Sequence, residues 1–302
     1  MKVVIGSKVD MDTTGVGFLL NVKRSDFVKV VQENADDAYL KNPEILCIEC
    51  GGSGQGRLLN FDHHDPLGPQ DSATKQAYNR LTSSNVPMNP WYTEVMHKYS
   101  EEKMKQFNFI VRRLVDYINH FETKGFQSLP NYGRLKFPLL SDVFSGMLLL
   151  TNEPLEQFHT GIDIFWKIVD TLQDSYFTID GFPAYAAAKA EQNQKVLKAV
   201  KSAGWTRTKS GLKLAFLQSE LYGVVGSLYG VGADVVVVFN PNFNGVPKFT
   251  VAGREKKVTD ALDELNSLEK GWGGPTSETI IGSKSGTKLD LMKVVEIVSK
   301  SL

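Results

Sequence analysis

The run Ile45-Leu46-Cys47-Ile48-Glu49-Cys50-Gly51-Gly52 constrains this chain more than any other stretch. Apolar residues behind Pro43 end on a carboxylate and a glycine pair, the pattern of a short buried strand closed by a tight turn. A charged side chain so close to a buried strand needs a partner or a ligand. Phe61-Asp62-His63-His64 follows shortly afterwards. In open α/β sheets, polar groups at strand ends project into the crevice where ligands bind. Acids and imidazoles meeting there point to a metal.

The surrounding pattern is of strands alternating with helices. Val3-Val4-Ile5-Gly6 is strand-like and leads to Asp10-Met11-Asp12-Thr13-Thr14-Gly15, where Thr13 or Thr14 is placed to cap a helix. Ser25-Asp26 is expected to cap a helix reaching about Leu40, with Phe27, Val30 and Val31 on one face. Further helices are expected from Asp71-Ser72 to about Ser83, from about Tyr92 to Phe121, and over 142–150 and 153–173. The long one carries Phe107, Ile110, Val111, Leu114, Val115 and Ile118 as its apolar stripe. Residues 125–138 are expected to be loop. This alternation implies an α/β fold with a mainly parallel, helix-covered sheet over residues 1–180. Pro183 opens a helix to about Lys201, within a linker placed at 181–210. Residues 211–302 form a smaller mixed α/β unit, with strands at 212–218, 233–239 and 248–252. Its helices are expected at 220–229, 258–268 and 287–299, with Gly223 and Gly226 suited to close packing.

Charge and cysteine usage narrow the partners. The 302 residues allow two domains, each with a core. Lys+Arg 34 balances Asp+Glu 34, so non-specific attraction to nucleic acid and a long duplex are disfavoured, while a local basic groove stays open. The two cysteines, Cys47 and Cys50, would face opposite ways along a strand, which suits packing rather than a redox or zinc pair. With no signal peptide, lipidation motif or membrane-length apolar run, a cytoplasmic location without membrane contact is expected.

Candidate ligands are Asp10, Asp12, Glu49, Asp62 with His63 and His64, and Asp116. Mixed carboxylate and imidazole donors suit Mn²⁺, Mg²⁺ or iron better than structural zinc. A metal pair roughly 3.5–4 Å apart would clamp both oxygens of a phosphoryl transfer. Taken singly, Asp10 and Asp12 suit a capped turn, Asp116 a solvated helix face, and the His pair a surface turn.

Taken together, these residues resemble the DHH phosphoesterases, which include RecJ-type exonucleases, nanoRNA and cyclic-dinucleotide hydrolases and manganese pyrophosphatases. Asp62-His63-His64 matches the motif that names the family, and Asp10-x-Asp12-x-x-Gly15 its first motif. Ile48-Glu49-Cys50-Gly51 stands where the family has strand, Asp, one residue and Gly. Ser72-Ala73-Thr74 is similar to the start of the helix after the name motif, and Leu114-Val115-Asp116-Tyr117-Ile118 to the fourth motif. Val251-Ala252-Gly253-Arg254 and Trp272-Gly273-Gly274-Pro275 resemble parts of the family's C-terminal substrate domain. The resemblance implies metals held by Asp10, Asp12, Glu49, His63 and Asp116. Asp62 would orient the imidazoles and His64 would touch a phosphate. Arg254 and the Gly273 and Gly274 amides would hold the substrate in a cleft between domains. It also implies Mn²⁺ (or Mg²⁺) hydrolysis of a short single-stranded oligonucleotide or small nucleotide, and it is compatible with a homodimer.

Three departures bear on that reading. Gly6 stands where a histidine is expected, Glu49 replaces an aspartate, and Pro275 replaces a histidine. They argue for one weakly bound or missing metal and an altered substrate. A degenerate module that binds a nucleotide or a protein without turnover therefore stays open, as does a pyrophosphatase-like or non-nucleotide phosphatase. On the substrate side, Arg57 follows the glycine-rich run 51–56, Trp272 could stack on a base or pack inside, and Ser283 with Lys284 suits an anion. His120, at i+4 from Asp116, could reach the same pocket. His97 and His159 suit surface or packing roles.

Overall fold

Strand β1 (Lys2–Gly6) lies inside the first sheet, where Val3, Val4 and Ile5 are all buried. It pairs with β2 (Phe27–Val31) on one side and β3 (Ile45–Ile48) on the other, and β3 pairs with β4 (Asn60–Phe61). The order is β2-β1-β3-β4 and every pairing is parallel. The computed structural model describes residues 1–65, 67–83, 100–125, 129, 134–243, 245–274 and 278–302. They form two compact units, Met1–Lys189 and Ala190–Leu302.

Strand alternation divides the first unit's interior. Val3, Ile5, Leu46 and Ile48 enter a large core, while Val4, Ile45 and Cys47 enter a small one with Ala35. Helices α1 (Met11–Leu19), α4 (Glu101–Lys124), α5 (Leu140–Leu150) and α6 (Pro154–Asp170) all contribute to the large core. Full burial of each Ile, Leu or Phe there contributes about 1.5–3 kcal/mol. Helices α2 (Asp37–Leu40) and α3 (Ala73–Thr82) complete the first set.

Several sequence expectations are corrected here. Asp10, not a threonine, caps α1, accepting the Thr13 N–H at 2.9 Å. Residues 27–31 form β2 rather than a helix, because pairing with β1 suits the β-branched run Val28, Val30, Val31. Within the described residues the long helix begins at Glu101, capped by Ser100, and its expected start near Tyr92 lies outside them. Cys47 and Cys50 share one face, not two. Glu49 between them takes a left-handed conformation (φ 52°), which breaks the alternation and returns Cys50 to the small core.

Helix α7 (Pro183–Lys201) runs across the division between the units. Among the described residues the second unit forms a sheet of β5 (Gly204–Arg207), β6 (Lys213–Gln218), β7 (Val235–Phe243), β8 (Val246–Gly253), β10 (Ile280–Ser283) and β9 (Trp272–Gly273), in that order. Only β6 and β7 are parallel to each other. Leu214, Val235 and Val237 face one core with α9 (Leu262–Leu268) and α10 (Leu291–Ser301). Ala215, Val236 and Val238 face the other, with α7 and α8 (Val224–Gly230). Gly223 and Gly226 do not serve close packing: a Cβ at either would meet nothing within 4 Å. Gly223 instead supplies a positive φ of 89° where α8 starts, later than the sequence suggests.

Candidate functional site

The end of β3 is built to present Glu49. Its N–H donates to the Phe61 carbonyl at 2.9 Å, holding the turn against β4. Opposite it, a Cβ at Gly6 would lie 2.5 Å from the Glu49 carbonyl oxygen, so the close approach of β1 admits only glycine without a backbone shift. The left-handed backbone of Glu49 is uncommon for a residue with a side chain and of order 1–3 kcal/mol unfavourable. The turn is clamped by Asp62, whose Oδ2 accepts the Gly51 N–H at 2.6 Å. Its Oδ1 accepts the His64 N–H at 2.7 Å and lies 3.1 Å from His64 Nδ1.

Asp12 arrives from α1, all of whose residues are buried. Its carboxylate accepts the first two amides of α3, Ala73 N–H to Oδ2 and Thr74 N–H to Oδ1, each at 2.7 Å. A buried anion is thereby held at a helix N-terminus, where the dipole favours negative charge. Gly15, one turn on, lets α3 come close: a Cβ there would lie 2.3 Å from Thr74 Oγ1.

These elements converge on one group. His63 Nε2 lies 3.9 Å from both Asp12 Oδ2 and Glu49 Oε2, and His64 Nδ1 lies 3.5 Å from Glu49 Oε2. Glu49, His63 and His64 each offer a ligand atom within 4.8 Å of the others. Burial, with Asp12, Asp10, Asp62 and Glu122 adding repulsion, pushes the Glu49 carboxyl up to about 10. Asp10 is raised by burial and by Asp12. Burial also acts on Asp62, but hydrogen bonds from His64 and Gly51 outweigh it and hold that carboxyl at about 2. Asp62 in turn raises His64. Glu49 Oε1 is buried without a hydrogen-bond partner. An orphaned carboxylate oxygen among crowded acids and two imidazoles fits a divalent cation, which would satisfy the oxygen and offset the repulsion.

Asp116 is engaged by basic side chains. Its Oδ1 accepts from Lys75 Nζ at 2.9 Å and its Oδ2 lies 3.9 Å from Arg112 Nε. His120 Nδ1 stays within its own helix, 3.2 Å from the Asp116 carbonyl oxygen. The acid of α4 on which Asp10 and Asp12 act is Glu122, pushed up to about 8 by burial first and then by those two aspartates. Its signal in the sequence is its position: it stands four residues after buried Ile118, continuing the apolar stripe.

In the second unit a cavity of about 370 Å³ is lined by Gly273, Ser283 and Lys284 of the proposed substrate residues, together with Lys248, Phe243 and Tyr222. It also takes in residues 219–225 after β6 and Asn240 of β7, at the C-terminal ends of the parallel pair. Trp272 is buried and stacked on Phe249 with ring centroids 5.8 Å apart, so it packs inside rather than offering its face to a base. A Cβ at Gly274 would lie 1.9 Å from the Ile280 carbonyl oxygen, so this glycine permits the approach of β10. Arg254 is exposed and donates to the Tyr229 carbonyl at 3.4 Å, and Arg57 is exposed on a 3₁₀ turn (Gly56–Leu58). Pro275 lies outside the described residues.

No protein-family model matches the chain, and no curated protein matches it. Among solved structures it is similar to an uncharacterized protein from Helicobacter pylori G27, with 12% identity, 99% of each chain covered and a TM-score of 0.35. It is also similar to the DHH domain of a protein described as a member of a ribosomal-protein family, with 14% identity, 98% of this chain and 85% of that chain covered and a TM-score of 0.40. A third likeness is to CDC45 from Entamoeba histolytica, with 9% identity, 99% and 95% covered and a TM-score of 0.41. At these identities and scores the likenesses fix neither a family nor an activity.

Proposed function

We propose that this chain is a divalent-metal-dependent phosphoesterase acting on a small nucleotide or a short oligonucleotide. The observation that carries the proposal is the group Glu49, His63 and His64 beside Asp10 and Asp12, with one Glu49 oxygen buried and unpartnered. Glu49, His63, Asp12 and Asp10 would hold the metal, and oxygen-rich donors with imidazole suit Mn²⁺ or Mg²⁺. A divalent ion held there supplies Lewis acidity toward a phosphoryl oxygen and a water. The protein's own groups do the rest. Asp62 fixes the His64 ring through Nδ1 and favours its charged form, so the exposed imidazole offers an N–H to a phosphate oxygen. The α3 amides fix Asp12 in one orientation before any ligand binds. Within the second unit, Lys248 and Lys284 beside Phe243 and Tyr222 line a cavity suited to an anion joined to an aromatic ring.

A second reading, binding without turnover, draws on Gly6, where no imidazole can be added without moving the Glu49 backbone. One experiment separates the two. The purified chain is incubated with Mn²⁺ and a panel of dinucleotides, 3′,5′-bisphosphate nucleotides and pyrophosphate, and phosphate ester cleavage is followed. Mn²⁺-dependent turnover that His63→Ala abolishes is the expected result. Tight nucleotide binding with no turnover on any substrate would favour the binding module.

A further inference from the structure

The sequence of the long helix α4 offers Asp116 to the metal, yet that carboxylate is committed to Lys75 and Arg112. The same helix carries Glu122, six residues on and about 120° round the helix axis from Asp116. Two contacts of α4 set where the face carrying Glu122 lies. Ile118, one turn before it, faces α1 closely enough that a Cβ at Gly15 would lie 3.1 Å from Ile118 Cδ1. Asn119, three residues before Glu122, accepts the Ser72 N–H at 2.8 Å and donates to Asp71 Oδ1 at 3.3 Å. Ser72 directly precedes Ala73, whose N–H is held by Asp12. Residues at i+3 and i+4 share a helix face. The face of α4 that carries Glu122 is thus fastened both to α1 and to the start of α3, the two elements that meet at Asp12.

From this geometry we propose that Glu122 is the carboxylate the long helix contributes to the cation site, completing a group with Asp10, Asp12 and Glu49. It rests on the metal-dependent reading above. Mutual repulsion supports it: Asp10 and Asp12 act on Glu122, and Glu122 acts on Glu49. The independent sign of a ligand is Glu49 itself, whose side chain is 5% exposed and whose Oε1 has no partner. Four carboxylates make the site harder and more oxygen-rich, which favours Mn²⁺ or Mg²⁺ over zinc.

The test is a Mn²⁺ titration of the full chain without substrate, read by the electron paramagnetic resonance of free Mn²⁺ and by the thermal midpoint. Glu122→Gln should bind Mn²⁺ at least about tenfold more weakly than wild type. Its metal-free midpoint should rise, because a crowded acid has been neutralised, while the increment produced by Mn²⁺ shrinks. A purely structural Glu122 would give the opposite: a lower metal-free midpoint and an unchanged increment. Asp116→Asn should bind Mn²⁺ as wild type does. Wild-type affinity in Glu122→Gln, or a loss confined to Asp116→Asn, overturns the proposal. If Glu122→Gln does not fold, Glu122→Asp replaces it, with intermediate affinity expected and wild-type affinity overturning the assignment. Absence of Mn²⁺ binding in the wild type would instead bring down the metal reading itself, and shows before any variant is measured.

Discussion

His159 is a buried histidine outside the Glu49, His63 and His64 group. Its ring packs 5.6 Å from that of Phe158, on α6. Burial first, and the nearby Arg24 guanidinium second, lower its pKa below the ordinary 6.5. The unfolded chain therefore takes up this proton more readily than the folded one. The stabilising contribution is complete above about pH 6.5 and is lost as pH falls from there through the folded value. We expect His159→Gln to flatten the acid side of the stability profile, measured as the urea midpoint between about pH 7 and pH 5. A profile parallel to wild type would contradict this. Residue types told much at this scale: Asp10, Asp12, Glu49, Asp62, His63 and His64 stand out because acids and imidazoles beside apolar runs demand a partner. Glu122 did not stand out, since an acid near the end of a charged helix is ordinary unless its place on the apolar stripe is noticed.

Between elements, the joint of α1 with α3 decides how variants at the site must be read. The Asp12 carboxylate satisfies two amides at the start of α3 and is itself fully buried. Truncation would leave both donors unpaired, at about 1–3 kcal/mol for each. Asp12→Ala is therefore expected to weaken the fold as well as the site, contrary to what its place among candidate metal ligands suggests. Asp10→Ala removes only an N-cap, a loss of about 0.5–2 kcal/mol. Urea denaturation checks the order: Asp12→Ala should have the lower midpoint, and equal midpoints would refute the structural role. Element types were mostly legible from periodicity. The exceptions have physical causes. Phe27–Val31 is too short for a helical period to be told from a strand, and only its pairing with β1 decides. Strands β5, β9 and β10 are brief and lack a strong apolar alternation, so they exist through their partners.

At the scale of the whole molecule, each unit owns its cores, so a ligand of one should not stiffen both equally. Mn²⁺ is expected to slow amide hydrogen exchange in β1, β3, α1 and α3 and to leave β6 and β7 unchanged. Mass-spectrometric exchange with and without the metal checks this, and protection confined to the second unit would contradict it. The sequence alone determined the class of fold and the residues whose chemistry needed explaining. Local periodicity and the cost of placing charge beside apolar strands carry that information. The tertiary structure decided which of those residues lie near one another. The αL turn at Glu49 reverses the side on which Cys50 packs, and the room at Gly6 is set by the distance between two strands. Which side of α4 packs toward α1 and α3 depends on how one helix is rolled against another. Such relations are fixed by contacts between residues far apart in the chain, which no local pattern records.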